Sequence, residues 1–301
     1  MKKILIAGGT GFIGKSLIEF LLQNGFCLHV LTRQMITPSA ENVHYYYWNI
    51  EKGIIDEDCF KDVEIIINLT GSNIAAKRWT KQRKRDIVDS RINAINLLFE
   101  KVKQNKYPIE KFICSSAVGF YGAVTCEAIF DETSKAGNDF LGAVCSQWEM
   151  AALQFEKLGI ATVIFRKGVV IAKNGGMFKK MAALSRLGIN TSVGSGRQYL
   201  PWVDLRDLLN IYLFFISKKS FKGIFNVVAS EFITMNDFSK QLLKYFKKKS
   251  LLPNLPSFIL RFVFGELSVM LLEGTRISNE KLKKLGYKFE FDTLEQAFES
   301  N

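Results

Sequence analysis

The chain has 301 residues, 48% of them apolar and 23% charged. That balance excludes global disorder and allows one large α/β domain with room for a smaller appendage. The formal net charge of +12 comes from basic residues scattered along the chain, clustered only at Lys77-Arg78, Lys81 to Arg85 and Lys247-Lys248-Lys249; with no nucleic-acid motif beside them, they read as a solvated basic surface suited to an anionic small molecule, and no nucleic-acid partner is expected.

The first strand, Ile4 to Ala7, breaks into glycines and resumes as an amphipathic helix through Leu17, Ile18, Leu21 and Leu22. Gly8, Gly11 and Gly14 stand on a G-x-x-G-x-x-G spacing. That pattern permits a tight turn, close approach of backbone N–H groups to a pyrophosphate, and packing of helix on strand. The helix then meets the anion with the positive end of its dipole. Gly8, Thr10, Gly11, Phe12, Ile13 and Gly14 are therefore expected to hold a dinucleotide. Gly25 ends the helix, and Cys27 to Leu31 is the second strand. Where NAD-binding proteins carry an acid for the ribose 2′-hydroxyl, this chain has Thr32-Arg33-Gln34. A guanidinium suits a 2′-phosphate. The expected cofactor is NADP(H), with Arg33 as main contact and Thr32 as helper.

Val43 to Trp48 reads as the third strand, and Val63 to Leu69 as a continuous apolar strand ending in Asn68-Leu69-Thr70-Gly71. Such a run suits a parallel strand covered on both faces. A long helix follows from about Thr80 to Lys103, then strands at Lys111 to Ser116 and Ala161 to Arg166. The alternation predicts an α/β fold of the Rossmann type, a doubly wound parallel sheet. Ligands there sit at the carboxyl ends of the strands, so Gly8, Arg33, Asn68, Thr70, Ser116 and Arg166 should share a cleft. Leu69, Gly71, Arg91 and Ser115 complete the expected cofactor set.

Beyond residue 167 the pattern changes. Gly175-Gly176 precede a helix, Val193 to Arg197 is a glycine loop, Val203 to Ile216 reads as strand, turn and helix, and Gly223 to Val228 as a short strand. The dinucleotide-binding domain is placed at 1–230, with about 168–200 on the substrate side. A small, mainly helical cap at 231–301 closes over the cleft.

The five cysteines (Cys27, Cys59, Cys114, Cys126 and Cys145) are odd in number and dispersed, without a C-x-x-C. They indicate neither a disulfide framework nor zinc, and suit a reducing compartment. His29 and His44 lie in strand-like segments without metal-ligand spacing, so no metal is expected. The N-terminus runs straight into a strand, so no signal peptide is expected and a cytoplasmic location is. The most membrane-like stretch, Phe258 to Leu272, is too short to span and carries Arg261 and Glu266; a buried or partner-facing helix is expected, without membrane insertion.

The glycine fingerprint, Asn68-Leu69-Thr70-Gly71, the segment Ser115-Ser116-Ala117-Val118-Gly119-Phe120-Tyr121-Gly122, and Trp202 to Asp207 resemble the extended short-chain dehydrogenase/reductase superfamily. Its usual members are sugar-nucleotide epimerases, dehydratases and reductases. Lys77-Arg78-Trp79-Thr80, Asp89-Ser90-Arg91-Ile92-Asn93, Asp139-Phe140-Leu141 with Cys145 and Trp148-Glu149, and Gly194 to Gln198 resemble an atypical branch of epimerase-like and cell-division-inhibitor-like proteins. Gly265-Glu266 and Gly286 to Phe289 resemble that branch's C-terminal domain of unknown function. The resemblance covers nearly the whole chain.

It implies a relay of Ser, Tyr and a Lys four residues after the Tyr, in which the Lys cation lowers the Tyr pKa. Here no Y-x-x-x-K stands in the right region. Counting back from Glu149, Leu141 takes the Tyr place and Cys145 the Lys place; counting back from Tyr121-Gly122, Ala117 takes the Ser place beside Ser116. Two readings follow. One is an NADP(H)-dependent oxidoreductase or epimerase-like enzyme with a rebuilt acid–base drawn from Tyr121, Ser116, Cys145 and Asp204, acting on an anionic small molecule. The other is a non-catalytic NADP(H)-binding regulatory or redox-sensing protein. Arg197 would meet a diphosphate, Trp79 would wall the nicotinamide pocket or fill the core, and Asp204 and Asp207 would cap the following helix. A monomer or homodimer is expected.

Overall fold

A computed structural model describes residues 2–34, 36, 40–173, 175–250 and 252–299. In chain order the elements are β1 (Lys3–Ala7), α1 (Phe12–Gln23), β2 (Cys27–Thr32), β3 (Val43–Asn49), β4 (Ile54–Ile55), β5 (Val63–Asn68), α2 (Lys81–Asn105), β6 (Lys111–Ala117), β7 (Ile129–Phe130), α3 (Phe140–Leu153), β8 (Ala161–Lys167), β9 (Val169–Ile171), α4 (Gly176–Arg186), β10 (Trp202–Asp204), α5 (Leu205–Ser217), β11 (Gly223–Val227), α6 (Met235–Tyr245), α7 (Ser257–Phe264), α8 (Val269–Leu272), β12 (Arg276–Ile277), α9 (Glu280–Lys284) and α10 (Leu294–Glu299).

Eight strands form one sheet in the order β11-β8-β6-β5-β1-β2-β3-β4, parallel except for the β3–β4 pair. The chain enters at β1 in the middle and winds outward both ways, as the alternation of strand and helix requires. Side chains alternate across the pleat and build a core on each face. Ile4, Ile6, Val30, Ile67, Ile113 and Phe165 meet α1 and α5 on one face. Leu5, Ile66, Phe112 and Ile164 meet α2 and α3 on the other. The register aligns Ala7, Leu31, Asn68 and Cys114 in one row at the carboxyl ends.

A further core joins Ile171, Phe178 and Trp202 to Ile233, Phe238, Leu294 and Phe298. The substrate-side unit is thus assembled from two separate stretches of chain, with 169–202 packed on the C-terminal helices. Three details differ from the sequence reading. No turn separates β10 from α5, because Asp204 both ends the strand and caps the helix, its carboxylate accepting from the Arg206 N–H at 2.8 Å. Asp207 is fully buried and receives Tyr287 Oη and the N–H groups of Glu290 and Phe291, so it pins the C-terminal segment to α5. The Phe258 to Leu272 stretch is not one buried helix. It breaks at Gly265 (φ +60°), where a Cβ would stand 3.0 Å from the Arg78 guanidinium, and Phe258 and Phe262 are exposed.

Candidate functional site: a dinucleotide cleft at the strand ends

The β1–α1 turn is shaped by what its glycines lack. Gly8 has φ +84°, and a Cβ there would lie 2.9 Å from the Leu69 carbonyl carbon. A Cβ on Gly14 would lie 2.4 Å from the Gly8 oxygen, so α1 can sit on the turn only without one. Gly9 closes the same joint, with Val30 and Ile18 where its side chain would go, a requirement the sequence pattern did not single out. The N-termini of α2, α3, α5 and α6 are capped by the side chains of Thr80, Asp139, Asp204 and Thr234, whereas α1 begins at Gly11 with no side-chain cap. The N–H groups of Phe12, Ile13 and Gly14 therefore open onto the strand ends beside exposed Thr10 and Gly11. This cradle fits the pyrophosphate of a dinucleotide.

A cavity of 520 Å³ continues from the ends of β2 and β3 towards α2, lined by Arg33, Asn49, Ile50, Glu51, Ser72, Asp86, Asp89, Ser90 and Asn93. Arg33 is exposed and makes no ion pair among the described residues. Thr32 is turned inward, its hydroxyl exchanging hydrogen bonds with the Gln34 backbone, so it shapes the Arg33 loop rather than facing the cavity. Asn68 accepts from the Thr70 hydroxyl at 2.7 Å and fixes the turn on which Leu69 and Gly71 follow; Leu69 N–H donates to Ala7 at the head of the glycine turn. Arg91 lies beneath Gly71, stacked on Trp148 and donating to the Ile87 and Ser72 carbonyls, with burial holding its pKa down.

Three of the four candidate acid–base groups, Ser116, Tyr121 and Cys145, are sealed. Ser116 donates to Glu149 at 2.7 Å, and Glu149 takes a bidentate pair of bonds from Arg166 at 2.9 and 2.8 Å. Arg166 also donates to the Tyr121 hydroxyl, which donates to Asn226 at 2.7 Å. Ser116, Tyr121, Glu149 and Arg166 are each at most 4% exposed. Burial pushes the Tyr121 hydroxyl up to about 12 and the Cys145 thiol up to about 12. Arg166, expected on the cofactor, instead neutralises Glu149 and lies over the Phe120 ring at 3.3 Å. This network locks β6, α3, β8 and β11 together, and its polar groups are spent on one another. Asp204, the remaining candidate, is buried and paired with Arg206.

On the opposite face of the same two strands lies a polar group the sequence reading missed. Lys167 Nζ donates to Ser115 Oγ at 2.9 Å, and Ser115 Oγ is 3.0 Å from Tyr212 Oη. Ser115 was expected on the cofactor; it is buried beneath the strand ends with Lys167 above it. The only signal in the sequence was a lysine directly following a strand end.

A second cavity, 550 Å³, opens between the N-terminus of α3 and the α7–α8 segment, with Trp79, Phe140, Leu141 and Leu272 as apolar walls and Lys84, Arg261, Asp139, Glu266 and Glu273 as charges. Trp79 is a wall and also core: it is buried, edge-on to Phe140, and donates to the Ile74 carbonyl. Arg197 is exposed on its glycine loop. Among the described residues no cluster of His, Cys, Asp or Glu could hold a metal ion, and no helix is long and apolar enough to cross a membrane.

Residues 4–228 match the NAD dependent epimerase/dehydratase family, and residues 255–300 match a domain of unknown function, DUF1731. An epimerase family protein of Staphylococcus saprophyticus is 33% identical over 99% of each chain, and one of Mycobacterium leprae is 33% identical over 98% of this chain and 94% of its own. The crystal structure of human epimerase family protein SDR39U1 (isoform 2) with NADPH superposes with a TM-score of 0.85 at 26% identity, covering 99% of this chain and 98% of the human one. UDP-glucose 4-epimerase from Thermotoga maritima shares the fold at a TM-score of 0.76 and 21% identity over 98% and 96% of the two chains.

Proposed function

The chain belongs to the NAD dependent epimerase/dehydratase family, and from that premise we propose that it binds NADP(H) and acts as an NADP(H)-dependent oxidoreductase or epimerase-like enzyme on an anionic small molecule. The carrying observation is Arg33, an exposed guanidinium without an ion-pair partner among the described residues, lining a cavity at the ends of β2 and β3. Uncapped α1 holds the pyrophosphate, Arg33 the 2′-phosphate, and the Asn68–Thr70 turn the middle of the molecule. The human relative's structure with NADPH supports this choice of cofactor. Bound there, a nicotinamide dinucleotide supplies or accepts hydride. Trp79, Phe140 and Leu141 wall the second cavity with apolar surface, and Arg261 is the cation placed there to meet an anionic group. Lys84 is shared with Glu266, which leaves Arg261 the freer cation.

The second reading, a regulator that binds the nucleotide without turnover, is favoured by the sealing of Tyr121, Ser116 and Cys145. Calorimetric titration with NADPH and NADH tests the common part. Tighter binding of NADPH supports it; equal binding of the two, or of neither, overturns it. Hydride exchange between bound NADPH and small-molecule pools then separates enzyme from regulator.

A further inference from the structure

Lys167 ends β8 opposite Ala117 of β6, at the carboxyl edge of the sheet, the edge at which ligands of this architecture sit. Its side chain lies on the α1–α5 face, opposite to Arg166, and its ammonium reaches Ser115, which is held in turn by Tyr212. It forms no salt bridge among the described residues. On its own face it meets Ser115 of β6, backed by Tyr212 of α5, and from the other face the Cys114 thiol of β6 and the Arg91 charge of α2 act on it at longer range. None is anionic, for burial keeps the Cys114 thiol protonated by pushing it up to about 12. Lys167 is half-buried, and an amine partly withdrawn from water without a counter-ion is a burden on the fold. Such a group at a ligand cleft points to chemistry.

We propose that Lys167 is the acid–base group of this cleft, exchanging a proton with the carbonyl or hydroxyl oxygen of a substrate at the β6–β8 strand ends, with Ser115 linking it to Tyr212. The inference rests on the cleft being a nicotinamide-dinucleotide site. In the direction that makes an alcohol, an N–H bond of the ammonium breaks and an O–H bond forms on the substrate oxygen. The electron pair stays on nitrogen as the neutral amine, and water restores the proton. In reverse the amine takes the hydroxyl proton. The hydride at carbon comes from, or goes to, a nicotinamide dinucleotide, the co-reactant class. Burial, with a smaller push from the Arg91 charge, lowers Lys167 to about 8, so both protonation states exist near neutral pH, as an acid–base group needs.

The test is an NMR pH titration of protein carrying ¹³C at the lysine Cε, with the Lys167 signal identified by its loss in Lys167→Met. Its midpoint is expected near 8. It should fall further with saturating NADP⁺ than with NADPH, because the oxidised ring adds a positive charge nearby. Lys111, also lowered to about 8 but at the opposite end of β6, is the internal control and should not respond to either cofactor. A Lys167 midpoint among the exposed lysines, or one identical in the two cofactor states, overturns the proposal. Should Lys167→Met not fold, Lys167→Gln identifies the signal. Calorimetry on the same samples separates the failures: binding of neither cofactor overturns the dinucleotide reading and this proposal with it, whereas binding with an unmoved Lys167 overturns this proposal alone.

Discussion

Among the residues of the cleft, one charge and one hydroxyl can be weighed by substitution. If Arg33 holds a 2′-phosphate, Arg33→Asp removes a charge-assisted pair and adds repulsion, weakening NADPH by about 2–3 kcal/mol while sparing NADH. Parallel titrations check this, and equal loss for both cofactors would remove Arg33 from that role. Tyr121 is different in kind. Its hydroxyl satisfies Arg166 and Asn226 inside the sheet edge. Tyr121→Phe leaves both buried partners short of a bond and should lower stability by about 1–3 kcal/mol. Thermal denaturation should show that drop while NADPH affinity stays constant. Lost binding with an unchanged melting temperature would place Tyr121 on the ligand instead. The types and order of these residues were legible in the sequence: a guanidinium after β2, and a Leu and a Cys where a relay would stand. The direction each side chain faces was not, because period-two alternation puts Ser116 and Arg166 on one face and Ser115 and Lys167 on the other.

For whole elements, the joint between β1 and α1 is the most constrained. Gly14→Ala would put a methyl 2.4 Å from the Gly8 oxygen and 2.6 Å from the Gly9 Cα, both backbone atoms that cannot swing away. The helix must lift from the turn, at about 3 kcal/mol or more, and the pyrophosphate cradle opens with it. Melting temperature and NADPH affinity should fall together. A Gly14→Ala protein with native affinity would show that the cradle does not carry the binding. This joint was readable because its glycines, strand and helix are neighbours in sequence. The α7–α8 segment departs from the single helix expected: Gly265 interrupts the apolar run at φ +60°, a backbone conformation open to glycine, and the Arg78 guanidinium, 187 positions earlier, packs beside it.

Charge acts on the molecule as a whole. Lys111 is 2% exposed at the amino end of β6 and donates to the carbonyls of Phe215 and Lys218 at the C-terminus of α5. Burial lowers it to about 8. A cation whose folded pKa lies below its unfolded value binds fewer protons folded than unfolded between the two, so its contribution to stability grows as pH rises from about 8 to 10.5 and is lost as pH falls through 8. Lys167 adds in the same direction. Chemical denaturation at several pH values should show wild-type stability rising over this window more steeply than that of Lys111→Met. Equal slopes would mean that Lys111 titrates as an exposed lysine.

The sequence by itself determined the local part of this protein. The glycine spacing, the arginine after β2, the buried parallel strands and the Leu141 and Cys145 at the places counted for a relay are all set by residues within a few positions of one another or by strict periodicity, and local sterics leave little choice. Tertiary structure decided what depends on residues far apart in the chain: the second core built from 169–202 and the C-terminal helices, the burial of Tyr121 and Cys145, and the Lys167–Ser115–Tyr212 group drawn from β8, β6 and α5. The physical reason is that burial and pairing are properties of contacts, and these contacts form only once the sheet has set its register.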